Sequence, residues 1–529
     1  MRVILLICIG YWLIPAQALA QFTFQKTYAT GTWEKANNIQ VIGDKGYIIA
    51  GSTNIVFGDP YFIRINNQGD TLVTKVFSIA DGDKCRIMIG NDNDYFIACH
   101  TTNFGAGNGD AFVIKTDTNL NIQWTKSYGG GSNDLNNHIL QTSDSGLLII
   151  GSTSSFGAGF SDGYVIRTDQ NGDTLWAKTF GTPELEGLGR ALELSNKRIL
   201  VTGGLSDVSD SYMYVLMLEQ TGGTIWSKLY KPDDGVTGNQ YIAQLSSSSF
   251  IIIGNSSNAG ITGILMMSID TTGIVLWSKV YNSSNNCSMS MSAANRTEDG
   301  GFIIVGNYCS AAMASLMRVD SSGNLIWVKT YSYSGNSHNI FHDVKQAPDG
   351  GFIAVGETGD LFGREIYVVK TDANGNSGCG DSTVIVNVTN AMVSVIDSSM
   401  QVGSGGVVGT AGLSVSGVTT TINTQCFDTI TGIDENRRPE PETQYLNSFP
   451  NPFDEHTSVE AFVPENTTNP ELIIYNVLGI EIKRFKLTEG YNIVTVAKED
   501  LPQAGIYLYA LFGNNEILGK RKMVLLGRE

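Results

Sequence analysis

A motif that recurs about every fifty residues constrains the fold of this chain more than any other feature. A tryptophan is followed two residues later by a lysine and four residues later by an aromatic residue, and the tryptophans are Trp124, Trp176, Trp226, Trp277 and Trp327. They are separated by 50 to 52 residues. Side chains two residues apart lie on one face of a β-strand, so each motif predicts a strand within a repeat architecture.

Each repeat also contains an apolar run that ends in a small residue. Seven such runs occur, at Tyr47 to Gly51, Tyr95 to Cys99, Leu147 to Gly151, Ile199 to Gly203, Phe250 to Gly254, Phe302 to Gly306 and Phe352 to Gly356. Continuous apolarity predicts a strand that is covered on both faces.

A turn of the form Asp-x-x-Gly follows a third strand in the repeats, for example at Asp169 to Gly172 and at Asp320 to Gly323. The aspartate can accept hydrogen bonds from the backbone of the turn, and the glycine can adopt a positive φ. These turns resemble calcium loops, but the further acidic ligands and the closing glutamate are missing. The pattern therefore favours a hairpin turn that leads into the Trp-x-Lys strand.

Four strands per repeat predict an all-β fold, a seven-bladed β-propeller of four-stranded blades over residues 21–379. A linear β-solenoid is the alternative. The last repeat has no Trp-x-Lys strand, whereas Phe24 to Tyr28 has the same aromatic-x-Lys-x-aromatic spacing without an apolar run before it. We therefore predict that this N-terminal strand completes the last blade and closes the ring.

The repeats resemble a family of bacterial β-propeller proteins, in which Gly-Gly-Phe-Ile-x-x-Gly and Asp-x-x-Gly-x-x-x-Trp-x-Lys-x-Tyr recur about every fifty residues. The resemblance covers roughly residues 22 to 379. It implies the fold but not a function, because propellers carry unrelated activities.

Residues 1–20 have the features of an export signal. Arg2 precedes an apolar run from Val3 to Ile14, and Ala18-Leu19-Ala20 forms a cleavage site. A membrane anchor is the alternative, but the run is shorter than the roughly 20 residues that cross a bilayer.

Export implies an oxidising compartment, so the cysteines other than Cys8 are expected to form disulfides. Fifteen connectivities are open, and their order favours the neighbouring pairs Cys85 with Cys99, Cys287 with Cys309 and Cys379 with Cys426.

The composition changes after Cys379. Residues 380–427 are rich in Val, Thr, Ser and Gly and predict a small β-rich extension or stalk, and residues 428–444 predict an exposed linker. From residue 445 to 529, short apolar stretches between Thr457 and Leu526 predict a compact immunoglobulin-like β-sandwich.

This last unit resembles the type A C-terminal sorting domain of the type IX secretion system of Bacteroidota. The resemblance is carried by Pro450-Asn451-Pro452-Phe453, Ile474 to Gly479, Gly505 to Tyr509 and Lys522 to Leu525. It implies recognition by the type IX machinery and a secreted or outer-membrane surface-attached protein that passes through the periplasm. The residues that it assigns to the sorting signal are Pro450, Asn451, Pro452, Gly479, Gly505, Tyr507 and Lys522. An adhesive immunoglobulin-like module is the alternative.

The sequence contains no motif that predicts catalysis, a metal or a cofactor. There is no His-Glu-x-x-His, no Gly-x-Ser-x-Gly and no phosphate loop. His338 and His342 lie near a predicted inner strand, which would place them about 13 Å apart at ~3.3 Å per residue, too far to share a metal easily. The net charge of −17 argues against a nucleic-acid partner.

The central channel of the predicted propeller is the expected place for a ligand. Counting back from each apolar run gives one equivalent inner-strand position per blade: Asn38, Arg86, His138, Arg190, Tyr241, Ala293 and Asp343. We hypothesise that this ring binds a glycan or a peptide, although the residues would also serve to hydrate a channel and pack strands together. The expected function is a non-enzymatic binding or adhesion module, and a polysaccharide hydrolase or lyase is the alternative.

Overall fold

The computed structural model describes most of the chain after residue 20. The described residues are 21–30, 33–53, 59–78, 85–91, 93–102, 105–207, 210–233, 235–258, 260–309, 313–333, 336–360, 363–398, 400–405, 407–409, 414–417, 420–430, 446–449, 451, 453–463, 467–476, 480–514 and 516–526. The expected export signal and most of the expected linker lie outside them. The chain divides into two compact units, Met1–Gly432 and Ile433–Glu529.

The prediction of an all-β protein is confirmed. Within the described residues, helical structure is limited to two 3₁₀ turns, Gly43–Lys45 and Lys498–Asp500. None of the described segments forms an apolar helix of sufficient length to span a membrane.

The described residues of the first unit form seven five-stranded antiparallel sheets, here called sheets 1 to 7 in the chain order of their inner strands. The inner strands are β2 (Glu34–Val41), β6 (Arg86–Ile89), β10 (Asp134–Gln141), β14 (Leu185–Glu193), β18 (Val236–Ser246), β22 (Met289–Arg296) and β26 (His338–Gln346). The second strands are β3 (Tyr47–Thr53), β7 (Tyr95–Thr101), β11 (Leu147–Thr153), β15 (Ile199–Ser206), β19 (Ser249–Asn258), β23 (Phe302–Tyr308) and β27 (Phe352–Gly359).

The third and fourth strands continue each sheet outward. The third strands are β4 (Pro60–Ile65), β8 (Asp110–Thr116), β12 (Asp162–Thr168), β16 (Ser211–Leu218), β20 (Ile261–Asp270), β24 (Met313–Val319) and β28 (Arg364–Thr371). The fourth strands of sheets 1 to 7 are β5 (Thr71–Ser78), β9 (Ile122–Gly129), β13 (Thr174–Gly181), β17 (Thr224–Pro232), β21 (Val275–Ser283), β25 (Leu325–Tyr331) and β1 (Gln21–Ala29).

The sheets follow one another in a closed circle. Inner strands of successive sheets contact each other, and β2 of sheet 1 contacts β26 and β27 of sheet 7. Hydrophobic clusters fill the spaces between neighbours; one joins Ile49 of sheet 1 to Ile353 of sheet 7, and both side chains are fully buried. The second strands are covered on both faces, as their continuous apolarity predicts. This arrangement is consistent with a β-propeller.

Tyrosines of the repeated motif connect the fourth strands of sheets 2, 4, 5, 6 and 7 to the next sheet, whereas sheets 1 and 3 have Phe77 and Phe180 at this position and cannot donate the bond. The Tyr128 hydroxyl donates to the Gly172 carbonyl at 2.7 Å, and Tyr230 and Tyr331 make the equivalent bonds to Gly273 and Gly375. Each of these three accepting glycines has a φ of 78 to 81° and lies against the motif of the preceding sheet. A Cβ at Gly172 would lie 2.9 Å from the Trp124 ring, so glycine is required for both its conformation and its size.

The aspartates of the Asp-x-x-Gly turns act as predicted. Asp169 Oδ1 accepts the backbone N–H groups of Asn171 and Asp173, each at 2.8 Å. Asp320 does the same for Ser322 and Asn324. These bonds form the turns from backbone and carboxylate groups.

The N-terminal strand closes the circle, as predicted. Strand β1 pairs with β28, with Phe24 opposite Lys370 and Tyr28 opposite Ile366. It belongs to the same sheet as β27, the strand that contains the seventh apolar run. The Tyr28 hydroxyl donates to the Gly69 carbonyl of sheet 1 at 2.5 Å, so this strand also makes the connection between sheets.

The segment after Cys379 provides the fifth strand of every sheet. Its strands are β29 (Asp381–Thr383), β30 (Val386–Asn390), β31 (Val393–Asp397), β32 (Gln401–Ser404), β33 (Val407–Gly409), β34 (Ser414–Gly417) and β35 (Thr421–Ile430), which join sheets 6, 5, 4, 3, 2, 1 and 7 respectively. We call these seven strands the belt. The belt strands therefore join the sheets in the reverse of the order in which the sheets follow one another along the chain. Residues 381–430 do not form the separate stalk that their composition suggested. They cover sheet edges that would otherwise be open.

The three predicted disulfides are present. Cys85 is bonded to Cys99 and Cys287 to Cys309, each beside the first two strands of one sheet. Cys379 is bonded to Cys426 and joins the start of the belt to its last strand. Disulfides of this number are typical of proteins that fold in oxidising compartments.

The described residues of the second unit form two antiparallel sheets around one core. One sheet contains β36 (Leu446–Phe449), β37 (His456–Val463) and β40 (Gly490–Ala497). The other contains β38 (Glu471–Asn476), β39 (Glu481–Lys486), β41 (Gly505–Gly513) and β42 (Glu516–Leu525). Apolar side chains from both sheets, including Val459 and Leu511, form a single buried cluster.

The belt disulfide yields the first testable prediction. Replacing Cys379 and Cys426 together with serine should lower the free energy of unfolding by up to about 4 kcal/mol, because the bond closes a long loop. Thermal unfolding and limited proteolysis with mass spectrometry would measure the change, and new cleavage sites should appear within residues 381–430. The matched control is the Cys85→Ser and Cys99→Ser pair, which should leave the belt resistant. Equal cleavage of the belt in both double variants would contradict this account.

Candidate ligand-binding site

All seven inner strands contribute to one cavity of about 510 Å³. Its lining consists mainly of charged, amide and glycine residues: Lys35, Asn37, Arg86, Asn136, Asn137, Gly187, Leu188, Gly189, Arg190, Gly203, Gly204, Gln240, Ser292, His342, Glu357 and Arg364. Because each inner strand belongs to a different sheet, the cavity lies at the centre of the circle. This is the region where the sequence placed a ligand.

Bulges in the inner strands determine which side chains line the cavity. The register with the second strand shifts between Ala36 and Asn38, and the equivalent shift occurs in five other inner strands. The extra residues include Asn37, Asn137, Ser292 and His342, and they line the cavity. A β-bulge leaves one residue unpaired and re-aims its side chain.

The predicted ring is therefore divided between two roles. Its seven members occupy equivalent positions, because each pairs with the residue before the small residue that ends the apolar run. Arg86 and Arg190 line the cavity, whereas the other five members are absent from its lining: Asn38, His138, Tyr241, Ala293 and Asp343.

Several of those five residues connect neighbouring inner strands. The Asp343 carboxylate accepts the Ile39 N–H at 3.1 Å and the Asn38 amide, while Asn38 Oδ1 accepts the Ile87 N–H at 3.2 Å. His138 Nδ1 accepts the Ala191 N–H at 3.4 Å. The ring thus holds adjacent sheets together, which was the alternative interpretation of these residues.

Tyr241 and Ala293 lie in the inner strands of sheets 5 and 6. The Tyr241 hydroxyl accepts the Arg296 N–H of the next sheet at 3.1 Å, and Ala293 is buried in the cluster between sheets 6 and 7. Neither residue presents its side chain as a ligand group in the cavity.

The two arginines of the cavity lie in a positively charged environment. Burial, followed by the charge of Arg190, lowers the pKa of Arg86 to about 10, and the Asp343 carboxylate opposes that change. Burial together with Arg190 and Arg86 holds the pKa of His138 well below its ordinary value, so this imidazole is neutral. Asp343 is already paired with Lys345 at 3.1 Å.

A second group of charges surrounds Glu357 at the same cavity. Its carboxylate accepts His338 Nε2 at 3.1 Å and Arg364 Nη1 at 2.7 Å, and His342 Nε2 lies 3.9 Å from the same oxygen. Burial raises the pKa of Glu357, but the nearby His342 imidazole, the hydrogen bond from His338 and the charge of Arg364 outweigh it and lower the pKa to about 2. Because both Nε2 atoms approach the same Glu357 oxygen, the two imidazole rings lie closer together than the ~13 Å expected of a regular strand, and the strand is bulged at His342.

No metal centre is evident in the part of the chain that the structure describes. It contains no group of three His, Cys, Asp or Glu side chains with the arrangement of metal ligands. Glu357 is the one carboxylate in the cavity lining, and Arg364 occupies it.

The residues assigned to the sorting signal have structural roles where they are described. Asn451 Nδ2 donates to the Lys522 carbonyl and its Oδ1 accepts the Val524 N–H, both at 2.9 Å, so this residue attaches to strand β42. The Tyr507 hydroxyl donates to the Gln503 carbonyl at 2.6 Å, and Gly505 has a φ of 150°. Pro450, Pro452 and Gly479 lie outside the described residues.

Comparisons with known proteins show only distant similarity. No protein-family model matches the chain, and no curated protein matches its sequence. The polysaccharide lyase Uly1 is 10% identical and matches over 65% of this chain and 91% of its own, with a TM-score of 0.41. PorZ, a surface component of the type IX secretion system of Porphyromonas gingivalis, is 10% identical over 92% of this chain and 69% of its own, with a TM-score of 0.34. Drosophila semaphorin 2a is 8% identical and matches over 96% of this chain and 98% of its own, with a TM-score of 0.39. Values this low do not assign a function.

The Glu357 cluster predicts a specific dependence of stability on pH. The folded pKa of about 2 is below the ~4.3 of an unfolded glutamate, so the cluster stabilises the fold fully above pH ~4.3 and loses this contribution as the pH falls toward 2. Glu357→Gln should therefore destabilise the protein by up to about 3 kcal/mol at pH 7, and the difference from wild type should vanish near pH 2. Urea unfolding across this range measures it.

The matched control for this prediction is Glu184→Gln, which changes an exposed glutamate without an ion pair among the described residues. This variant should unfold like the wild type at every pH. A pH-independent difference between Glu357→Gln and wild type would show that packing, and not charge, is responsible.

Proposed function

We propose that the chain is an extracellular or surface-exposed binding protein, in which residues 21–430 form a seven-bladed β-propeller that binds a ligand at its central cavity. Residues 445–529 act as an immunoglobulin-like sorting domain for the type IX secretion system. The repeats, the closed circle of sheets and the disulfides support the first assignment. The Pro450 to Phe453 and Gly505 to Tyr509 motifs support the second.

The observation that carries the binding function is the convergence of polar groups without protein partners in one cavity. Asn37 Nδ2, Gln240 Oε1 and Arg364 Nε are buried and lack a hydrogen-bond partner. A buried polar group without a partner costs roughly 1–3 kcal/mol. A ligand that bonds these atoms would recover that free energy, which is how preorganised binding sites gain affinity.

The charges of the cavity favour binding over hydrolysis. A glycosidase uses a pair of carboxyl groups, one of them an acid with a raised pKa. Glu357 is the single carboxylate in the lining described here, and its pKa is lowered to about 2. It is therefore ionised at neutral pH and is unsuited to donate a proton. We assign no catalytic residue, metal or cofactor to the propeller.

A polysaccharide assay separates the two functions. At least one of a set of immobilised neutral and acidic polysaccharides should retain the purified chain, and the chain length of every polysaccharide should stay unchanged during prolonged incubation. Size-exclusion chromatography of the polysaccharide measures its length. Shortening that is lost in Glu357→Gln but kept in Glu184→Gln would instead establish the hydrolase or lyase alternative.

Deletion of the second unit tests the sorting function. A chain that ends at residue 444 should remain in the periplasm of a bacterium with a type IX system, whereas the full chain should reach the surface or the medium. Cell fractionation with antibody detection measures both. The full chain in a strain without the translocon is the control and should also stay in the periplasm. Equal export of the truncated chain would contradict this assignment.

A further inference from the structure

The cavity contains two arginines that have no direct hydrogen-bond or ion-pair partner among the described residues, although the charge of Asp343 acts on both from a distance. Arg86 and Arg190 both line it, and neither guanidinium has a hydrogen bond or an ion pair with any residue that the structure describes. The fully buried cations of the protein are paired, for example Arg167 with Asp144 at 2.5 Å and Lys370 with Asp349 at 2.8 Å. The two cavity arginines are half-buried instead, and they line the cavity without such a direct partner among the described residues.

The two unpaired arginines are close enough to affect each other. The charge of Arg190 helps to lower the pKa of Arg86, which means that the two like charges repel. Asp343, whose charge acts on both arginines, already pairs with Lys345 and accepts a hydrogen bond from Asn38. An anion placed between the guanidiniums would relieve the repulsion and accept their N–H groups.

The whole lining has an excess of positive charge. Among the described residues it contains four cationic side chains, Lys35, Arg86, Arg190 and Arg364, and one carboxylate, that of Glu357, which forms an ion pair with Arg364. This basic cavity belongs to a chain with a net charge of −17. A concave site that carries positive charge attracts and concentrates anions, even when the net charge of the protein is negative.

The remaining lining favours a sugar over a peptide. Amide and hydroxyl groups dominate it, through Asn37, Asn136, Asn137, Gln240 and Ser292, and such groups hydrogen-bond the hydroxyls of a saccharide. Leu188 is the one large apolar side chain in the lining, so peptide side chains would find little apolar surface to bury.

From these observations we infer that the cavity binds an acidic saccharide, with a carboxylate or sulfate group held between Arg86 and Arg190. The inference rests on the proposed binding function and specifies the chemistry of its ligand. Both arginines come from equivalent positions of inner strands in sheets 2 and 4, so the anion would be held from two sides of the cavity. The amide groups would then contact the sugar ring.

Calorimetric titration of the full chain with four probes tests this inference. The probes are a tetragalacturonate, a sulfated galactose tetramer, a neutral galactose tetramer and a tetraglutamate peptide. At least one acidic saccharide should bind saturably, and the neutral tetramer and the peptide should bind at least about tenfold more weakly. Comparison of the affinities for the tetragalacturonate and for the sulfated tetramer shows whether the cavity prefers a carboxylate or a sulfate.

Variants connect this binding to the cavity. Arg86→Gln and Arg190→Gln should each weaken binding of the acidic saccharide by about tenfold or more, because each removes a charge-assisted hydrogen bond. Arg86→Lys, which keeps the charge, should retain more affinity than Arg86→Gln and shows that the effect is not one of misfolding. Arg198→Gln is the matched control, since this half-exposed arginine of sheet 4 pairs with Glu219 outside the cavity. It should bind like the wild type.

Failure of the inference and failure of the proposed function give different results. Equal binding of the neutral tetramer, with loss in Asn37→Ala, would overturn the acidic ligand but keep the binding function. Preferential binding of the peptide would overturn the saccharide. Saturable binding by none of the four probes would overturn the inference, and depolymerisation of the saccharides would overturn the binding function itself.

Discussion

The hydrogen bond from a motif tyrosine to the turn of the next sheet is the contact on which the rest of the first unit depends. It is present at five of the seven junctions, for example from Tyr28 to Gly69 and from Tyr128 to Gly172, and at the other two the buried rings of Phe77 and Phe180 take the place of the tyrosine. The glycine allows the turn to approach the aromatic ring closely, and the aspartate before it holds the turn in shape. Neighbouring sheets therefore meet in one fixed geometry, and the inner strands converge on a central cavity.

Two segments from outside the repeats complete this circle. Strand β1 gives sheet 7 its fourth strand, and the belt gives every sheet a fifth. The belt also uses the motif lysines, since Lys228 pairs with Asp397 at 2.5 Å and Lys329 with Asp381 at 3.2 Å. Because the Cys379–Cys426 bond joins its ends, the belt opposes separation of any two sheets.

The repeat, the closure by Phe24 to Tyr28 and the three disulfides were predictable because each depends on side chains at regular intervals. The belt was not, because its strands of mostly three to five residues attach mainly through backbone groups, and the few side chains that it uses, such as Asp381 and Asp397, do not recur at a regular interval. The cavity was predictable only in part. A constant offset from the apolar runs finds Arg86 and Arg190, but a bulge shifts the lining from Asn38 to Asn37 and from Asp343 to His342. Bulges depend on backbone pairing, which a residue count does not reveal.

The central claim is that two arginines without protein partners form the anion-binding part of a central cavity. A crystal structure of the full chain soaked with tetragalacturonate or its sulfated counterpart would test this most directly. Density for the carboxylate or sulfate within hydrogen-bond distance of both the Arg86 and the Arg190 guanidinium is the predicted result. A cavity that holds no saccharide, with these guanidiniums paired to protein carboxylates, would contradict the account.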